Sequence, residues 1–132
     1  MKARYALIIP LLAVVAACAA ESMPEPAEGA ALFSENCVGC HGTDAHGRKL
    51  ATGTVAPDLT KISARNGGVF PKAAVMSQID GFARGNHPGE VMPEFGEWLK
   101  GDLIPVEVDG VLTPTPRPLA ALATYLESIQ VE

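Results

Sequence analysis

The chain is poor in several things at once. Aromatic residues make up only 5 % of its 132 residues, so the core its own side chains can build is thin for one domain. Basic residues are scarce, 10 Lys and Arg against 15 Asp and Glu, and they form no basic stripe, which excludes a nucleic-acid-binding role. No stretch offers the ~20 consecutive apolar residues of a membrane-spanning helix; the apolar run over 5–17 is shorter, and Pro10 interrupts it. There is no internal repeat, no second CxxC and no HxxxH, so a closed four-donor zinc site lacks its ligands. Three cysteines leave an odd one out, which any account of the chain must explain.

The N-terminus explains it. Lys2 and Arg4, an apolar run and then small residues have the layout of a secretory signal. Val15-Ala16-Ala17-Cys18 matches a bacterial lipobox, in which Cys18 is lipidated; the alternative is cleavage at Ala17-Cys18-Ala19, which discards it. Either way Cys37 and Cys40 remain as a pair, in a compartment outside the cytoplasm, the periplasm of a Gram-negative bacterium. The expected division is a signal over 1–17, a Pro/Glu-rich tether over 18–28 and a folded domain over 29–132. Ten extended residues of such a tether reach roughly 30 Å, so a lipidated form would sit close to the bilayer. From Cys18 onward the net charge is −7, and it is uneven. Residues 42–87 carry six basic and three acidic side chains, whereas 88–132 carry two and eight.

Within the domain, 28–36 is a short helix running into the cysteine pair, and 42–68 is rich in Gly, Thr, Asp and Asn and reads as irregular loop. Residues 71–83 form a helix with Val75, Ile79 and Phe82 at i, i+4 and i+7. The clearest helix is 118–129, with Leu119, Leu122, Leu126 and Ile129 on one stripe. Between these two, 106–113 alternates around Asp109-Gly110, a two-residue hairpin signal. The fold class is therefore all-α, with at least three short helices, long loops and one small hairpin. So much irregular chain around so little core needs something large to wrap.

Cys37-Val38-Gly39-Cys40-His41 admits four readings. A zinc site is short of donors, and adjacent Cys40 and His41 point apart in most backbones. A thioredoxin-like dithiol lacks the surrounding βαβ pattern and leaves His41 without a role. A disulfide between residues three apart closes so small a loop that it stabilises little. Covalent haem uses every residue: each thiol adds across one vinyl group, the two-residue spacer sets the vinyl spacing, and the histidine is carried to the iron. Behind an export signal this reading is favoured.

Four side chains compete to be the iron's second axial ligand. Met76 lies on the stripe of helix 71–83 and suits core filling. His46 is too near His41 in sequence to cross to the other haem face, and His87 sits in the turn GNHPG. Met92, in GEVMPEFGEWL, is stiffened by Pro93 and flanked by apolar Phe95, Trp98 and Leu99. It is the favoured ligand; the alternative is a buried loop methionine.

From Glu28 to the end the sequence resembles a bacterial class I, mono-haem c-type cytochrome. Gly29 and Phe33 match the family's N-terminal helix, Tyr125 its aromatic partner in the last helix, APDL with Pro57 the proline loop, and Met92, Pro93, Phe95 and Gly96 the methionine motif. The resemblance implies a cytochrome c fold around one haem c bound through Cys37 and Cys40, with His41 and Met92 on the iron. It also implies that the Pro57 carbonyl accepts a hydrogen bond from His41; Trp98, beside Met92, is expected to touch the cofactor. The implied activity is one-electron transfer to redox partners rather than catalysis, in a chain expected to be monomeric. Glu90, Glu94 and Glu97 would present an acidic face to a partner with a basic patch. Three other roles stay open: haem subunit of a larger oxidase or dehydrogenase, ligand-binding sensor or peroxidase with a labile Met92, and thiol redox protein. The segment 103–116 departs from the family's simplest members; it would cover a haem edge or form part of a docking surface.

Overall fold

The computed structural model describes residues 22–82 and 91–131. The proposed signal, Cys18, His87 and Glu90 lie outside the described residues. Helix α1 is Pro26–Asn36, two residues earlier than its sequence pattern suggested. Pro26 takes the first helical position, where its missing N–H costs nothing. The C-terminal end of the segment expected to be a tether, 26–28, is therefore helical. Arg117 bonds Glu28 through Nη2 at 2.7 Å and Nε at 3.1 Å, and its Nη1 donates to the Ser22 carbonyl at 3.0 Å.

The chain leaves α1 through Cys37, whose N–H donates to the Phe33 carbonyl at 2.9 Å, and turns once more as α2, Val38–His41. The stretch read as irregular contains small elements. Strands β1 (Arg48–Lys49) and β2 (Val55–Ala56) pair antiparallel, and a 3-10 turn over Leu59–Lys61 leads into α3, Ile62–Arg65. Helix α4 is Lys72–Asp80 and buries Val75, Met76 and Ile79. Gly81, at φ +96°, ends it one residue before Phe82. Phe82 is consequently 89 % exposed and not part of the buried stripe, a correction to the i, i+4, i+7 reading.

Strands β3 (Leu103–Val108) and β4 (Val111–Pro116) form the expected hairpin, longer than 106–113. Its turn residues Asp109 and Gly110 both have positive φ, as a two-residue turn of the mirror-image type requires. Ile104 and Val106 pack on Ala120 in a small cluster of their own, and Val108 joins that cluster to the main core, so the hairpin is seated against the last helix. That helix, α5, is Arg117–Ser128, and it buries Leu119, Leu122 and Leu126 as its spacing predicted.

Helices α1 and α5 form the centre of the fold. They approach so closely at Gly29 that a Cβ there would sit 2.6 Å from the Tyr125 Cβ and collide with the Ala121 carbonyl. Phe33 and Tyr125 stack at a tilt beside this crossing, centroids 5.3 Å apart. Gln130 closes the other end. Its amide donates to the Leu59 and Leu126 carbonyls and accepts from the Ser63 N–H at 2.8 Å, tying the end of α5 to α3 and to the turn before it. No helix among the described residues is long and apolar enough to cross a membrane.

Candidate functional site: a cavity walled by the core

The main core and the site share their residues. Phe33, Val75, Ile79, Phe95, Leu99, Leu122 and Leu126 are buried, and the same side chains line a cavity of about 600 Å³. This volume lies within the roughly 300–1,000 Å³ of small-molecule and cofactor sites. The thin core is thus explained: it is a shell. Cys37, Cys40, His41, Pro57 and Met92 all reach its wall, brought from α1, α2, the β2 exit and the loop after α4.

α2 is where local sequence fixes geometry. Helical bonds from the His41 N–H to the Cys37 carbonyl at 2.9 Å, and from the Gly42 N–H to that of Val38 at 3.0 Å, wind the five-residue motif into one turn. Arg48 clamps this turn from outside, its Nη2 donating to the carbonyls of Val38 (3.2 Å) and Gly39. His41 is buried, and its Nδ1 meets the Pro57 carbonyl at 3.3 Å. A carbonyl can only accept, so Nδ1 carries the proton and Nε2 keeps its lone pair. Burial pushes the His41 pKa below the ordinary value, and the bond to Pro57 opposes that in part. Burial thus favours the neutral imidazole, the form that ligates metals.

Cys37 and Cys40 are both free thiols. Burial, and secondarily the neighbouring Cys40, pushes the Cys37 thiol up to about 11. A dithiol oxidoreductase needs the reverse, a stabilised thiolate. Among the described residues no group of three or more His, Cys, Asp or Glu could hold a metal ion.

Met92 is half-buried against the core, and its loop is more firmly fixed than Pro93 alone would make it. The Phe95 N–H donates to the Ile79 carbonyl at 2.9 Å, and that of Gly96 to Asp80 at 3.2 Å, hanging the loop from the end of α4. The following turn, closed by bonds from Trp98 and Leu99 to the Phe95 carbonyl, sends Phe95 and Leu99 inward. Trp98 points the other way. It is 70 % exposed, lies edge-on to Phe95 and is not among the residues that wall the cavity, unlike the cofactor contact expected of it. Met76 is buried in the core behind the wall, and His46 is exposed and bonded to Asp58. Hairpin residues 103–116 are likewise absent from the wall, so among the described residues they cover no edge of the cavity.

Sequence reading missed Arg48 and the pair Asp58 and Thr60. Asp58-x-Thr60 carried a signal, since an Asp two residues before a helical N–H is a capping pattern; Arg48 carried none. The donor set fits a covalent haem. Two unbridged thiols separated by two residues, a neutral imidazole with one free nitrogen, a thioether and apolar walls meet in one cavity. No curated protein and no solved structure matched the chain. The family model described as Cytochrome c matches residues 26–130, nearly all of the folded part. The chain therefore belongs to the cytochrome c family, carries a covalently bound haem c with its iron, and serves as an electron carrier for redox partners.

Proposed function

We propose that the chain shuttles single electrons between respiratory or periplasmic partners, with its haem joined to Cys37 and Cys40 and its iron held by His41 and Met92. One observation carries this reading: all four side chains converge on the wall of a single apolar cavity. When bound, the haem supplies a one-electron Fe(III)/Fe(II) couple. The residues supply the rest. Thioether bonds from Cys37 and Cys40 would fix the group's position relative to α2, and with it that of His41. The Pro57 carbonyl orients the His41 ring and raises its basicity. Met92, a soft neutral donor, favours the reduced state. With His41 and Met92 both holding the iron, no position on it would be left for a substrate. The apolar wall keeps water from the redox centre, limiting the solvent rearrangement that accompanies each electron.

The N-terminal pattern of Lys2, Arg4 and the run 5–17 supports placement outside the cytoplasm, either free or tethered through a lipidated Cys18. Glu94 and Glu97 are exposed beside Met92, although Lys100 pairs with Glu97 at 2.6 Å and offsets part of that charge. This supports a partner with a basic patch. Electron exchange with a basic redox protein is expected to slow several-fold from about 10 to 200 mM salt, as the screening length shrinks from about 30 Å to under 10 Å. A stopped-flow rate indifferent to ionic strength would remove the acidic face from the account.

A further inference from the structure

The bond from His41 to Pro57 is only as good as the position of the Pro57 carbonyl, and Pro57 is a loop residue. Two anchors hold it. On the N-terminal side β2 pairs with β1, and Arg48, opposite Ala56 in that ladder, grips the Val38 and Gly39 carbonyls. On the C-terminal side the very next residue is Asp58. Its Oδ1 accepts from the Thr60 N–H at 2.9 Å and from the Thr60 hydroxyl at 2.6 Å. Its Oδ2 accepts from His46 Nδ1 at 3.3 Å. The Thr60 hydroxyl lies 3.4 Å from the same His46 nitrogen, so carboxylate, hydroxyl and imidazole form one closed network.

That network ties the turn after Pro57 to the loop that follows His41. The Leu59 N–H donates to the Ala45 carbonyl at 2.8 Å, and the Gly47 N–H to the His41 carbonyl itself at 2.8 Å. Gly47 lies so close beneath Pro57 that a Cβ on it would come within 2.6 Å of the Pro57 carbonyl carbon. Thr60 is buried, and its own carbonyl accepts from Val131 at 2.8 Å, which fixes the far end of the turn to the C-terminus.

We infer that Asp58, acting through Thr60 and His46, is a positioning residue that holds the Pro57 carbonyl against His41 and thereby tunes the reduction potential of the haem iron. Its carboxyl is held down to about 2, chiefly by the Thr60 hydroxyl, which favours the anionic form that accepts these bonds. A carbonyl that drifts from Nδ1 leaves His41 a weaker donor to the iron. A weaker donor stabilises the ferric state less, and the potential rises.

The inference rests on His41 being an iron ligand, and the test separates the two. In the ferric holoprotein, proton NMR of a ligated His41 shows hyperfine-shifted ring resonances; their absence from the unsubstituted protein refutes the ligation and this inference with it. Given those resonances, Asp58→Ala is expected to raise the potential and to speed exchange of the His41 Nδ1 proton about tenfold, the equivalent of one ordinary hydrogen bond. Asp58→Asn keeps an oxygen toward Thr60 and is expected to restore slow exchange. Thr60→Val removes the 2.6 Å bond without changing charge and with nearly the same branched shape, and it serves where Asp58→Ala fails to fold. It too should raise both readings. Variants that lower the melting temperature yet leave exchange and potential unchanged would show a merely structural capping role and overturn the proposal. An equal rise in potential for Asp58→Asn and Asp58→Ala, with exchange unchanged in both, would overturn it in favour of simple charge loss.

Discussion

Replacing Met92 with alanine is expected to leave the haem attached while opening the iron to outside ligands. Carbon monoxide on the reduced protein and cyanide on the oxidised one should bind about a hundredfold more tightly. That factor corresponds to removing an internal competitor worth about 3 kcal/mol. The reduction potential should fall, because the soft sulfur that favours the ferrous state is gone. The weak long-wavelength absorption band of sulfur on ferric haem should vanish with it. Met76→Leu is the matched control: Met76 is buried in the core but does not reach the cavity wall, and exchanging it for leucine nearly conserves volume. Ligand titration followed by absorbance checks both variants. Equal cyanide affinity in the unsubstituted protein and Met92→Ala would remove Met92 from the iron.

The largest loss of stability is expected from a single methyl group at Gly29. Two effects oppose each other in Gly29→Ala. Helix propensity favours alanine by about 1 kcal/mol. Against it, the added Cβ would overlap the Ala121 carbonyl and lie 2.6 Å from the Tyr125 Cβ, in backbone and first-carbon atoms that no rotamer change can move aside. Relief requires α1 to shift off α5, which also breaks the Phe33–Tyr125 contact at 5.3 Å. Overpacking of this kind costs about 3 kcal/mol net, and so lowers the melting temperature by about 15 °C in a domain of this size. Thermal unfolding of the holoprotein, followed by circular dichroism, measures it. A melting temperature raised by Gly29→Ala would mean that the two helices do not cross at this point.

The parts of the site legible in the sequence are those whose chemistry is local. CVGCH carries its own spacing, and Met92 announces itself through Pro93 and the apolar residues that follow. Leu119, Leu122 and Leu126 declared the buried face of α5 because a helix repeats regularly. The misreadings have equally local causes. The spacing of Phe82 promised a buried residue, but spacing does not show that Gly81 takes a left-handed conformation and ends the helix first. Trp98 looked like a cofactor contact beside Met92, yet one turn of chain after Phe95 decides which of Phe95, Trp98 and Leu99 faces inward. Other features depend on distant partners. The start of α1 is tied down by Arg117, 89 residues beyond Glu28, and Gln130 reaches back 71 residues to Leu59. No window of sequence displays such pairs.

The hairpin of 103–116 shows the same division between local and distant information. Asp109-Gly110 predicted its turn, but only the packing of Ile104 and Val106 on Ala120 reveals that it stands away from the cavity wall.

The most direct test of the account is the intact mass of the mature protein, unfolded and freed of non-covalent ligands, after production alongside a functioning haem-attachment system. The account predicts the polypeptide plus one haem, and the polypeptide alone once Cys37 and Cys40 are both changed to serine. A colourless protein with the mass of its amino acids would contradict it.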